Sequence, residues 1–131
     1  ECHFTHDHEI SSYKNFFDVI FIAGVYHHIN PILRNTATQK IHTLIKNGGL
    51  AIIFEHNPYN PLTKHMVNTC EFDKDAILLT KKELISLFNS NDFHYVESKY
   101  CLFVPLILKK LNFLENLLFK IPLGGQHYSK K

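Results

Sequence analysis

Two histidines in succession, His27 and His28, follow a short apolar run. An imidazole titrates near neutrality, so such a pair can contact a bound ligand, orient a reactant or take its proton. The bland alternative is a pair packed at a helix entry. A second group, Glu55, His56, Asn57, Tyr59 and Asn60, follows the next apolar run and offers acceptors, donors and an aromatic face. Its structural alternative is a series of turns built on Asn-Pro-Tyr-Asn-Pro. A third group, Cys2, His3, His6, Asp7 and His8, offers nitrogen, oxygen and sulfur ligands, but at no recognised structural-site spacing. No metal is expected there.

Elements of the right kind flank these residues. Phe16 to Ala23 is short, apolar and rich in β-branched and aromatic residues, which predicts a parallel strand covered on both faces. Asn30-Pro31 supplies an N-cap and a proline at the first helical position. The helix that follows carries an apolar stripe of Ile32, Leu33, Ala37, Ile41, Leu44 and Ile45, and Asn47-Gly48-Gly49 should stop it near Lys46. Leu50 to Phe54 is the next buried strand, completing a βαβ unit with a right-handed crossover. His27 and His28 then leave the carboxyl end of one strand, and Glu55 to Asn60 that of its neighbour. In open α/β sheets that edge binds ligands.

Glu55 to Leu79 shows no sustained period and reads as a long loop, a kind that is usually functional. Thr80-Lys81-Lys82-Glu83 is a capping box, and Leu84, Ile85, Leu87 and Phe88 give the helix behind it a buried face. Phe93 to Val104 reads as a strand, Leu106 to Phe119 as an amphipathic helix, and Gln126 to Ser129 as a final edge strand.

Composition narrows the class. At 131 residues, 45% hydrophobic and 20% charged, residues 1–131 form a single domain or part of one rather than a disordered tail. A net charge of +2 without clustering gives nucleic-acid binding no support. Lys109, Lys110, Asn112 and Glu115 interrupt the longest apolar stretch, so no membrane span is expected. Three scattered cysteines and no visible export signal make a reducing cytoplasm the default. The single methionine is Met66, so an upstream segment is expected.

Three stretches, FDVIFIAGVYHHI, LIKNGGLAIIFEHNPYNPLT and VNTCEFDKDAILL, together resemble the class I S-adenosylmethionine-dependent methyltransferases of the type 11 group. The order and spacing of the matches carry the resemblance more than any one of them. It implies a Rossmann-like α/β sheet in which Phe17-Asp18 opens the fourth strand and Gly48-Gly49 precedes the fifth. Phe4 to His6 would end the third strand, and the sixth and seventh would follow. The glycine-rich turn after the first strand and the acid after the second have no counterpart here, so the sheet is expected to be truncated, with strands 3 to 7 present and 1 and 2 absent.

The resemblance also implies roles. Asp7 would accept from the adenine amino group of S-adenosylmethionine and His8 would offer backbone to the ring. Ala23, Gly24 and Val25 would flank the methionine part of the cofactor. His27 and His28 are the candidate catalytic residues, and Glu55, His56, Asn57, Tyr59 and Asn60 the acceptor side. The expected activity is methyl transfer to a small-molecule, sugar or lipid-linked acceptor by a longer parent protein, with weak cofactor binding by residues 1–131 alone. The alternative is a non-catalytic methyltransferase-like partner or binding module. An exposed sheet edge would favour association.

Overall fold

The computed structural model describes residues 7–10, 12–103, 118 and 120–130. After a short helix α1 (Asp7–Ile10), strand β1 (Phe17–Ala23) leads through a 3-10 turn at Tyr26–His28 into helix α2 (Pro31–Leu44) and strand β2 (Ile45–His56). Helix α3 (Pro61–Thr69), a second 3-10 turn at Glu71–Asp73 and helix α4 (Lys81–Asn89) precede strands β3 (Glu97–Cys101) and β4 (Gln126–Lys130). The sheet order is β1-β2-β4-β3, with β1 parallel to β2 and β4 antiparallel to both its neighbours.

Two expectations about this sheet are corrected. Gln126–Lys130 is not an edge strand but lies between β2 and β3, where its backbone groups pair on both sides. Asn47-Gly48-Gly49 does not stop the helix. The helix ends at Leu44, and the glycines form a bulge inside β2: Phe17 pairs with Ile45, but Val19 already pairs with Leu50. A Cβ on Gly49 would stand 2.7 Å from Ile45 Cγ1 and 2.9 Å from the Lys46 carbonyl, so the bulge closes only around glycine. Lys46 and Asp18 clamp it from outside at 2.8 Å.

The core lies on one face of the sheet. Ile45, Ala51 and Ile53 of β2 meet Tyr26, Leu79, Leu84, Phe88 and Phe93, with Ile20 and Ile22 of β1 packed against them. The opposite face of β1 is open, with Val19 53% and Phe21 64% exposed, so the strand is not covered on both faces as its composition predicts. Alternate side chains point to opposite faces, and the described helices that build the core bury only one.

Helix α2 starts at the Asn30 cap, whose side chain accepts from the Ile32 N–H, and the predicted stripe is buried only toward its C-terminal end. Of the stripe, Ile32 and Leu33 are exposed, Ile41 packs on the core and Leu44 and Ile45 are buried, while Arg34 and Thr38 also face inward. These polar groups can be buried because they are satisfied. Arg34 donates to the carbonyls of Ile29 and Ile77, and Thr38 Oγ1 donates to Arg34 O and lies 3.0 Å from the Tyr26 hydroxyl. Burial, eased by the Thr38 bond and reinforced by Glu55, pushes that phenol up to about 12.

The capping box of α4 forms in both directions, Thr80 N–H donating to Glu83 and the Glu83 N–H to Thr80 Oγ1. The long loop expected from 55 to 79 contains a helix instead. Asn60 accepts from the Thr63 N–H and Pro61 sits in the first turn, the same Asn-Pro start as in α2. Strand β3 is shorter than Phe93 to Val104. The expected third-strand end at Phe4 to His6, and the helix expected at 106–119 apart from residue 118, lie outside the described residues.

Candidate functional site at the carboxyl edge of β1 and β2

Because β1 and β2 run parallel and Ala23 pairs with Phe54, the chain leaves both strands at one end. The Gly24 N–H donates to Phe54 O at 2.9 Å, so the turns Gly24–His28 and Glu55–Asn60 begin side by side. Gly24 has φ +65°, the left-handed region that a side chain would strain. Ala23 and Val25 flank it and are exposed. Asp7 and His8 open α1, and their side chains lie outside the described residues.

Glu55 organises the edge from inside. It is buried, and its Oε1 accepts from the N–H groups of Val25 and Tyr26 at 3.0 and 2.7 Å. Its Oε2 lies 2.7 Å from His27 Nδ1. A single side chain of β2 thereby fixes both the turn after β1 and the orientation of the first histidine. The Ile77 N–H donates to His27 O at 2.8 Å and draws the segment after α3 over the pair. Asp73 arrives with that segment. Its Oδ1 stands 3.6 Å from His27 Nε2 and 3.3 Å from His28 Nε2.

The structure separates residues that the sequence groups together. His27 is 2% exposed and tied to Glu55, whereas the His28 side chain is 45% exposed and faces Asp73 and solvent. His56 packs its ring 5.0 Å from that of His27, and its buried Nδ1 has no hydrogen-bond partner among the described residues. Burial lowers its pKa, and the neighbouring His27 adds to the effect. Tyr59 is exposed.

Asn57 and Asn60 are occupied within the chain. Asn57 Nδ2 donates to the carbonyls of Pro122 and Gly124, while its Oδ1 accepts from the Tyr59 N–H. Asn60 caps α3 and donates to Leu123 O. Sequence reasoning missed Asp73, which sits in what reads as loop. Its signal was the stretch FDKDAILL, which carried the family resemblance but was given no site role. A cavity of ≈ 530 Å³ lies elsewhere, at the bulge end of β2 around Lys46, Gly48 and Phe93.

Solved structures share this fold. A S-adenosylmethionine-dependent methyltransferase from Archaeoglobus fulgidus superposes with a TM-score of 0.71 over 94% of this chain at 11% identity. The fold is that of the class I S-adenosylmethionine-dependent methyltransferases. A protein of the same kind from Thermotoga maritima, described as a possible histamine N-methyltransferase, gives 0.64 over 89% at 17% identity. The Haemonchus contortus phosphoethanolamine N-methyltransferase 2, solved with S-adenosyl-L-methionine, gives 0.59 over 89% at 15% identity. The chain spans 62% of the length of the first of these and 56% of the second. No protein-family model and no curated protein matches the sequence. The sheet is the truncated Rossmann-like one that the resemblance implies.

Proposed function

We propose that the protein of which residues 1–131 are part transfers a methyl group from S-adenosylmethionine to a small-molecule, sugar or lipid-linked acceptor, as a member of the type 11 group. The observation that carries the reading is the likeness of 94% of this chain to a methyltransferase, with the polar residues gathered at the sheet edge where such folds bind ligands.

In this reading Ala23, Gly24 and Val25 lie along the methionine part of the cofactor, with Asp7 and His8 on its adenine side. His28, His56, Tyr59 and Asp73 face the acceptor, and Glu55, Asn57 and Asn60 hold the edge in shape. Transfer from a sulfonium is an in-line displacement, so placing the acceptor atom against the methyl carbon supplies much of the acceleration. His28, oriented by Asp73, is placed to take the proton that the acceptor releases as its new bond to carbon forms. His27, buried against Glu55, holds the edge in shape rather than facing the acceptor. Cys70 is a free thiol, which suits a cytoplasmic protein. Among the described residues no helix is long and apolar enough to cross a membrane.

Calorimetry with S-adenosylmethionine on the whole protein and on residues 1–131 tests the cofactor. The expected result is binding by the whole protein and weak or undetectable binding by residues 1–131. Transfer of label from methyl-tritiated S-adenosylmethionine into small-molecule, sugar or lipid fractions tests the reaction, and His28→Ala should lower it at least about tenfold. A whole protein that binds no S-adenosylmethionine would leave the non-catalytic module as the better account.

A further inference from the structure

We propose that His27, His28 and Asp73 form a binding site for one divalent first-row transition-metal ion, zinc being the ion their chemistry suits best. The three side chains bring one ligand atom each to within 4.8 Å of one another. Metal–ligand bonds of about 2.1 Å at tetrahedral angles put ligand atoms about 3.4 Å apart. The two separations from Asp73 Oδ1, 3.6 Å to His27 Nε2 and 3.3 Å to His28 Nε2, bracket that value. Both are longer than the roughly 2.9 Å at which an N–H donates well to a carboxylate. The spacing suits a shared ion better than a direct bond.

A second observation is independent of the spacing. His27 Nδ1 lies 2.7 Å from Glu55 Oε2, and Glu55 is itself held by two backbone N–H groups. With Nδ1–H donating to Glu55, the neutral ring turns the lone pair of Nε2 toward Asp73 and His28. Metal-bound histidines almost always have such a carboxyl partner behind them, because it fixes tautomer and orientation together. Two imidazoles and one carboxylate are also a recurrent ligand set for zinc and other first-row ions.

The burial gradient says what kind of site this is. His27 is closed in, Asp73 is partly exposed, and His28 opens the cluster to solvent. Three protein ligands and an open side leave a coordination position for water or a ligand oxygen, the pattern of a catalytic rather than a structural site. The site does not depend on methyl transfer, since it needs only these side chains. If the methyl-transfer reading also holds, an ion there would lower the pKa of the acceptor, and His28 would serve as ligand rather than base.

The test is a titration of chelator-stripped residues 1–131 with Co²⁺, followed by visible absorption, and then displacement by Zn²⁺. One equivalent should bind, with Asp73→Asn and His28→Ala each weakening affinity at least about tenfold and Glu55→Gln by roughly 10–100-fold. The Cys2→Ser/His3→Ala/His6→Ala variant should bind as the unaltered chain does, which separates this site from the N-terminal ligands. No binding at millimolar ion overturns the proposal, as does binding that survives His28→Ala and is lost in the N-terminal variant. Should Asp73→Asn fail to fold, histidine ring NMR of the unaltered chain decides. Zinc must shift the His27 and His28 signals, and unmoved signals with zinc bound overturn the site. These outcomes read the ion alone, whereas S-adenosylmethionine calorimetry reads the methyl-transfer proposal.

Discussion

His127 is buried and His56 half-buried, two imidazoles that the fold does not fully partner. His127 lies in β4, directly across the ladder from Glu55, and its Nε2–H donates to Leu79 O at 2.9 Å. The Nδ1 atoms of both rings are buried and have no hydrogen-bond partner among the described residues. Burial lowers both pKa values from the ordinary 6.5, offset for His127 by the Leu79 carbonyl and deepened for His56 by His27. Below pH 6.5 the unfolded chain therefore takes up protons that the folded chain refuses. Stability is full above 6.5 and falls as the pH drops through that value toward the lowered folded pKa values. The limiting slope is about 1.4 kcal/mol per pH unit for each histidine. Urea unfolding at a series of pH values between 7 and about 5 should show this loss, and His127→Gln, which can still donate to Leu79, should remove part of it. Glu83, held below its ordinary range by Thr80, contributes only at lower pH. An unchanged slope in His127→Gln would mean that His127 is not protonated on unfolding in this window.

Short-range signals served the elements well where they were read. The Asn30-Pro31 start of α2 and the Thr80/Glu83 capping box of α4 act within a few residues, so the sequence contains the whole of each device. Asn60-Pro61 is the same signal as Asn30-Pro31, yet the loop-like composition around it hid α3. The polar part of the buried face of α2 was illegible for another reason. Arg34 and Thr38 are inside because Ile29, Ile77 and Tyr26 accept or share their hydrogen bonds, and Ile77 is distant in sequence. The site divides along the same line. His27 and His28 are adjacent in sequence, but only the fold brings Glu55 and Asp73 to them. The central place of β4 rests on long-range pairing as well. Asn57 reinforces that arrangement by joining the end of β2 to the carbonyls just before β4. Asn57→Ala would leave those carbonyls and the Tyr59 N–H without their partner, at a cost of about 2–4 kcal/mol. Asn60→Ala, which removes a helix cap, should cost nearer 1 kcal/mol. Denaturant midpoints of the two variants compare them directly. Equal losses would mean that Asn57 is no more than a turn residue.

At the scale of the whole molecule, the sheet ends at β1, a strand whose outer edge has no partner among the described residues. Its open face carries Val19 and Phe21, and Phe21 stands 5.6 Å from Phe54, which in turn stacks on Tyr128. An apolar ladder therefore runs across three strands, with exposed hydrophobic side chains at the end where backbone N–H and C=O groups are also unpaired. Edges of this kind recruit other strands unless charge or proline blocks them. Asp18 carries a charge at this edge, but Lys46 neutralises it at the bulge. Residues 1–131 should therefore self-associate as concentration rises, by sedimentation velocity or light scattering. A lysine at Val19 or Phe21 should shift the distribution toward monomer, because neither side chain is needed by the core on the other face and a like charge on each copy opposes edge-to-edge pairing. The effect should weaken as salt screens the added charges. Association that Val19→Lys and Phe21→Lys leave unchanged would place the contact elsewhere on the molecule.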